Sequence, residues 1–293
     1  MTLVLVTIIG GIAALLIAQS GRMAKMGESG YRQGVCERTL SDLEKGLPSL
    51  LSHLTNAQEL DIAMRLPLVL ESSKGDFFLK TTVSSPYSRF NVNRLLNGDG
   101  SVNDAYFNVW IRIFSLYPIA DSELLSNIVL DTIDTDRNER APGSEIALNT
   151  ADFSDGPIRS FERFGQSLER YVALSADRSP LSIPWKRYIG FEGEKIDFNA
   201  INADALMLIV PELGPEKARY LTLYRTKAFA NKEELLNAEP TLGGTFDTFF
   251  FLYTPQTPYI LRCDTLVNAK GVNERVRFDY STADKKIRRV RFL

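Results

Sequence analysis

Residues 1–21, MTLVLVTIIGGIAALLIAQSG, contain no charged side chain; the first is Arg22. At 1.5 Å per residue this run spans about 30 Å as a helix, the depth of one bilayer core. A cleaved signal peptide is the other reading. That reading asks for a basic start and a small-x-small cleavage site, and there is no basic start here. The run is also longer than a usual signal core, and the residues after Arg22 read as more helix. A retained membrane helix is therefore the expectation. Beyond it, Leu40, Leu43, Leu47, Leu50, Leu51 and Leu54 recur at steps of one helical face. Gly27, Gly30, Gly34 and Gly46 interrupt this segment, each weakening a helix by about 1 kcal/mol relative to alanine. Pro48 kinks or restarts it. The reading is a transmembrane helix over 1–21 and an amphipathic continuation over 22–55, packed on a soluble domain.

Among 293 residues, 34 are Lys or Arg and 36 are Asp or Glu, so the net charge is −2. A dedicated nucleic-acid binder carries a basic excess that is missing here. The only histidine is His53 and the only cysteines are Cys36 and Cys263. That argues against histidine acid–base chemistry, cysteine–histidine zinc sites and a disulfide framework. Cys36 and Cys263 can pair outside the cytoplasm, but sequence does not decide it. His53 reads as packed or exposed rather than catalytic. No nucleophile elbow, phosphate loop or dinucleotide fingerprint is present.

The rest of the chain divides by periodicity. Residues 74–86 alternate as a strand, and 90–93 form a short extended piece. Helical spacing covers 103–117, 121–133, 157–174, 203–225 and 231–237, with Asp121 or Ser122 as a cap. The C-terminal stretches YILRCDTLVNA and ERVRFDYSTADKKIRRVRFL read as strands, with turns at 268–273 and 281–285. A helical block thus lies inside an α+β frame.

Two motifs carry candidate chemistry. In Asp131-Thr-Ile-Asp134-Thr-Asp136-Arg-Asn-Glu139, with Glu145 shortly after, carboxylates leave a helix end and enter a loop containing Pro142 and Gly143. Calcium asks for six to eight hard oxygens, which such a loop can supply. The spacing is not that of an EF-hand. The competing reading is a solvated acidic loop, partly neutralised by Arg137 and Arg140. The second motif spans Ala205 to Arg219, where Pro211-Glu-Leu-Gly214 separates two helices. Helix-hairpin-helix turns can present backbone N–H groups to a phosphate. Here Glu212 and Glu216 flank the turn, and packing is the favoured role.

The order of these pieces resembles a known family, the type II secretion minor pseudopilin K (general secretion pathway protein K). The N-terminal run looks like a type IV pilin helix. Arg89-Phe-Asn91-Val-Asn93-Arg-Leu-Leu96 resembles the family's R-F-N-L-N-x-L. Leu124 to Asp136 resembles its L-x-D-W-I-D-x-D stretch, and Lys195 to Ala203 its V-N-V-N-T-A-P-A. The hairpin resembles its SAM-like helical module, and the final strands sit where the family completes its pilin sheet. The chain departs from the pattern at Thr132, where tryptophan is usual, and at Asn199-Ala-Ile. No basic leader precedes residue 1, which suggests a processed form or a truncated start. Leu5 stands where most pilins, though not the K proteins, carry glutamate.

The resemblance implies an α+β fold. A long N-terminal helix packs on a pilin-like antiparallel sheet, built from 56–92 and 253–293, with an inserted all-α domain over 93–252. It implies a non-enzymatic, single-pass inner-membrane protein with its soluble part in the periplasm. Such a protein caps the pseudopilus tip with minor pseudopilins I and J, and contacts no nucleic acid. It also implies calcium in the inserted domain, here at Asp131, Asp134, Asp136, Glu139 and Glu145. The lost glutamate fits a tip position, because a charge at membrane depth with no subunit above it would be unpaired. Three alternatives remain: a minor pilin of a related pilus, a DNA-uptake component using the hairpin, and a membrane-anchored carboxylate hydrolase. The hydrolase needs a polar cleft with carboxylates roughly 5–9 Å apart. The DNA-uptake component needs a basic patch around Lys217 and Arg219.

Overall fold

The computed structural model describes residues 34, 41, 45, 56–71, 77–269 and 272–293. The expectations for 1–21, for most of 22–55, and for Leu5, Cys36 and His53 lie outside the described residues. Among the described residues no helix is long and apolar enough to cross a membrane. In chain order the elements begin with helix α1 (Ala57–Arg65) and strands β1 (Leu68–Glu71), β2 (Phe77–Ser84) and β3 (Phe90–Asn91). Next are helices α2 (Asp104–Leu116), α3 (Ser122–Ile133), α4 (Phe161–Ser175) and α5 (Trp185–Tyr188). Then come β4 (Ile189–Gly190), β5 (Ile196–Asp197), α6 (Ala203–Ile209), α7 (Gly214–Arg219), α8 (Lys232–Ala238) and α9 (Phe246–Phe249). Strands β6 (Phe250–Phe251), β7 (Ile260–Ala269), β8 (Val272–Ser281) and β9 (Lys286–Phe292) complete the chain.

These elements form two compact units. The sheet unit takes the described residues up to Ser85 and those of Lys227–Lys232 and Leu252–Leu293. Its five strands run in the order β1-β2-β7-β8-β9, antiparallel throughout. Strand β2 therefore pairs directly with β7, although most of the chain lies between them. Alternation decides the faces. Leu79, Thr81 and Val83 of β2 are buried with Leu261, Cys263, Thr265 and Val267 of β7, while Lys80, Thr82 and Ser84 point to solvent. Thr81 and Thr265 face each other inside and share a hydroxyl hydrogen bond of 2.9 Å. Helix α1 lies against β2, capped by the Asn56 side chain, which accepts from Glu59 N at 3.0 Å. Where β8 meets β9, two residues of β9 oppose one of β8, and Arg289 takes φ +54° there. Cys263 is a free thiol, fully buried and pushed up to about 12 by burial and by Asp279. The pairing with Cys36 weighed from sequence involves a residue outside those described.

The helical unit comprises Pro86–Thr226 and Glu233–Phe251. Trp110 of α2 is its packing centre. It stacks on Trp185 with centroids 5.4 Å apart and meets Phe114 and Phe164 edge-on. Helices α2, α3, α4 and α6 start on Asn103, Asp121, Ser160 and Asn202, each accepting the backbone N–H three residues on. Two short parallel ladders, β3 with β4 and β5 with β6, tie distant parts of this unit together. The R-F-N-V-N stretch gains its meaning here. Asn91 Nδ2 donates to Gly193 O at 2.6 Å. Asn93 Nδ2 donates to Ile158 O and Phe191 O, and Asn93 Oδ1 accepts from Ile158 N.

Three boundaries differ from the sequence reading. Residues 86–92 were expected in the sheet domain, but Phe90 and Asn91 pair with Ile189 and Gly190, which places them in the helical unit. Residues 227–232, expected in the insert, group with the sheet unit, where Ala228 N donates to Gln58 Oε1 at 2.8 Å. The helix expected over 203–225 is broken into α6, a 3₁₀ turn at Pro211–Leu213, α7 and a π-helical turn at Tyr220–Tyr224. Pro211 has no N–H to continue α6, and Gly214 sits at φ +68°.

Candidate functional site

The acidic loop leaves the C-terminus of α3, where Asp134 is the cap residue. Asp131, one turn earlier, is fully buried, and Asp134 is nearly so. Thr132 beside them is also buried. Its Oγ1 donates to Ile128 O at 2.7 Å and lies 3.1 Å from Ser167 Oγ, so the small polar residue is satisfied inside the core.

Arg140 is the cation of this site. Its Nη1 donates to Asp131 Oδ1 at 2.7 Å and also to Asp134 Oδ2, while its backbone N donates to Asp131 Oδ2 at 3.1 Å. Ser144, fully buried, places its hydroxyl against Asp131 Oδ2 and receives Ala141 N at 2.9 Å. Burial raises the Asp134 carboxyl above its ordinary range, opposed by Arg140 and aided by the charges of Asp136 and Asp131.

The remaining predicted residues go elsewhere. Asp136 is exposed and accepts Asn138 N at 2.7 Å; Glu139 is exposed and accepts Gly143 N at 3.1 Å. Both close turns of their own loop. Glu145 is fully buried, with Oε1 accepting Ala147 N at 3.0 Å. Burial pushes it up to about 7, helped by Asp155 alongside and by Asp131. Asp155 carries no signal in the sequence: it sits in a Ser-Asp-Gly turn, with only Asp152 near it and ten residues beyond Glu145. Three buried oxygens, Asp134 Oδ1, Glu145 Oε2 and Asp155 Oδ1, have no hydrogen-bond partner among the described residues. The loop thus joins Asp131 to Asp134 through Arg140 and brings Glu145 to Asp155. Among the described residues no three His, Cys, Asp or Glu side chains gather as a group able to hold a metal ion.

The hairpin is the second candidate. An open groove of about 470 Å³ is lined by Glu216, Lys217, Arg219, Tyr220 and Tyr224. Lys217 Nζ is 2.8 Å from Glu239 Oε2, and Lys217 holds the Glu239 carboxyl below its usual range. A cation neutralised in this way, beside another carboxylate at Glu216, is poorly placed to bind a phosphate backbone.

The sheet interrupted between β2 and β7 by a helical unit is a distinctive arrangement, and it has a solved counterpart. The fold is shared with a chain of the GspK–GspI–GspJ complex. That crystal structure comes from the enterotoxigenic Escherichia coli Type 2 Secretion System. It matches with a TM-score of 0.63 and 13% sequence identity, over 91% of this chain and 99% of that one. No protein-family model and no curated protein sequence matches the chain. At this identity the shared property is the fold, a mixed architecture of helices and antiparallel sheet, and it extends over nearly the full length of both chains.

Proposed function

We propose that the chain is a minor pseudopilin of a type II secretion machine, a non-enzymatic subunit at the tip of the pseudopilus that supports its assembly and protein export. On this reading residues 1–21 anchor it in the inner membrane, its two units lie in the periplasm, and its partners are I- and J-type minor pseudopilins. The carrying observation is that the match to a GspK–GspI–GspJ chain runs through both the sheet and the unit inserted in it. A bulky insert would also obstruct addition of a further subunit above it. The hydrolase reading is less well supported, because Asp131 and Asp134 are buried and held by Arg140 rather than open in a cleft. The expected result is that the full chain, solubilised in mild detergent, co-purifies with the I- and J-type pseudopilins of the same machine. A chain that stays alone, in cells whose secretion does not need it, overturns the reading.

Calcium belongs to the same proposal. The unpartnered oxygens of Glu145 and Asp155 are hard donors of the kind calcium takes, and a third carboxylate would have to move toward them to complete a site. Asp134, already bound to Arg140, has one oxygen left to offer. Asp136 and Glu139 would have to give up their turn bonds to join. When bound, calcium would replace repulsion between neighbouring carboxylates by attraction and let them stay ionised. The sign is testable. Folded Glu145 holds its proton to about pH 7, against 4.5 for the ordinary carboxyl. The folded chain therefore binds more protons across that window, and stability falls as pH rises through it, by on the order of 2 kcal/mol. Melting curves in chelator should show this fall, and it should vanish in Glu145→Gln. Calcium should raise the parent's melting temperature at neutral pH and leave Glu145→Gln unmoved. A parent indifferent to calcium would leave the Arg140 bridge, and no metal ion, as what holds this loop.

A further inference from the structure

The solvent face of the five-stranded sheet can be read row by row from its register. Val69, Lys80, Leu266 and Arg275 lie side by side across β1, β2, β7 and β8. The next row is Thr82, Asp264, Arg277 and Arg291, and the third is Ser84, Arg262, Asp279 and Arg288. Three rows thus hold six cations against two carboxylates, with Asp284 of the turn before β9 as a third, paired with Arg288. The helical unit has the opposite balance, 15 Lys and Arg against 24 Asp and Glu. An ordinary solvated face mixes signs, and like charges directly opposite on neighbouring strands are destabilising. Here Arg277 and Arg291 stand directly opposite each other.

The guanidinium groups are also pre-arranged. Asp264 serves two of them: Arg275 Nε at 2.6 Å and Nη2 at 2.8 Å, and Arg277 Nη2 at 2.8 Å. Asp279 receives Arg262 Nε at 3.1 Å. Arg275 and Arg277 remain about half exposed in these pairs, with side-chain accessibilities of 56% and 41%. Asp264 takes the Nε–Nη2 edge of both, so the exposed remainder of each guanidinium is held in place and can meet a further carboxylate at a low ordering cost. Leu266, exposed, stands beside Arg275, and exposed Val69 lies at the other side of Lys80 in the same row. Arginines beside an exposed leucine match the composition of protein interfaces. A nucleic-acid backbone has no use for the apolar side chains, and a headgroup layer takes up a larger apolar face than Val69 and Leu266 offer.

We infer that this sheet face is a docking surface for a partner protein that presents clustered carboxylates. The inference does not depend on which assembly the chain joins. The test uses the full chain in detergent micelles and a labelled peptide of alternating glutamate and leucine, with its lysine–leucine counterpart as control. Vesicles rich in phosphatidylglycerol and a DNA duplex are the competing probes. The acidic peptide should bind, more weakly as salt rises. Charge reversal in Arg275→Glu/Arg277→Glu should weaken it about tenfold or more. Arg291→Glu, which leaves the Asp264 pairs intact, should weaken it in the same direction, so a folding defect in the double variant cannot imitate the result. Val69→Ser/Leu266→Ser should also lose affinity. Peptide binding unchanged in Arg291→Glu, or vesicles or DNA bound more tightly than the peptide, would overturn the assignment.

Discussion

Replacing Arg140 with methionine should destabilise the protein by about 3–5 kcal/mol at neutral pH, the usual cost of removing one partner of a buried ion pair. The reason is what stays behind. Asp131 has no exposed side-chain surface and Asp134 only 6%, so neither carboxylate can turn to water. Methionine keeps the bulk of the stem and removes only the fork. Acid should narrow the difference: burial already raises the Asp134 carboxyl, and without Arg140 to oppose it that group would take up a proton in the folded variant before it does so unfolded, which favours folding as pH falls. Adding Asp131→Asn and Asp134→Asn to the variant should restore part of the loss, measured as a coupling energy in a mutant cycle. The variant also interrogates the metal proposal. With the internal cation gone, calcium should rescue the melting temperature more than in the parent, if the loop accepts the ion at all. A loss below about 1 kcal/mol in denaturant titration would show the Arg140 bridge to be an ordinary surface pair.

Arg140 also marks the limit of what sequence reading reaches. The carboxylates at Asp131, Asp134 and Glu145 were legible as a group because they are close along the chain. Which ones turn inward was not. That depends on how the loop over 135–144 folds back, and on Ser144 and the Arg140 backbone N–H meeting Asp131. Asp155 comes from a separate turn, whose Gly156 N donates to Thr132 O at 3.0 Å, and no spacing rule connects it to Glu145. The same contrast runs through the fold. Helices α2, α3 and α8 lie within a residue or two of their expected limits, because apolar periodicity and caps are local signals. Strands β7 to β9 were legible from alternation and their turns. Strand β1 was missed although Pro67 precedes it and Ser72-Ser-Lys-Gly75 follows it, because four residues are too few to show a period. The two-residue ladders were missed because a two-residue strand has no period and its partner lies far along the chain. The motif R-F-N-V-N was recognisable, but its purpose, asparagines clasping loops around Ile158, Phe191 and Gly193, belongs to tertiary structure.

Trp110→Ala should be the most damaging single change in the helical unit. The side chain is fully buried, and truncating such an aromatic costs about 3–5 kcal/mol through lost transfer energy and an unfilled cavity. Its surroundings favour the upper end. Trp185 stacks on it at an interplanar angle of 19°, and Phe114 and Phe164 meet it at 89°. Aromatic pairs of this kind add about 0.5–1.5 kcal/mol each beyond their buried area. Neighbouring rings that also brace one another, as Phe164 and Trp185 do at 5.0 Å, cannot collapse far into the space. Trp110→Phe separates packing from polarity. It keeps most of the ring and removes the 2.9 Å bond from Nε1 to Ser126 Oγ. Ser126 would not be stranded, because its hydroxyl already donates to Ser122 O at 2.7 Å. The phenylalanine variant should therefore lose about 1–2 kcal/mol, less than half the alanine cost. Chemical denaturation of both variants gives the comparison, and amide exchange in α2, α3 and α4 gives its location. An alanine variant as stable as the phenylalanine one would mean that the ring cluster fills space without holding the unit together.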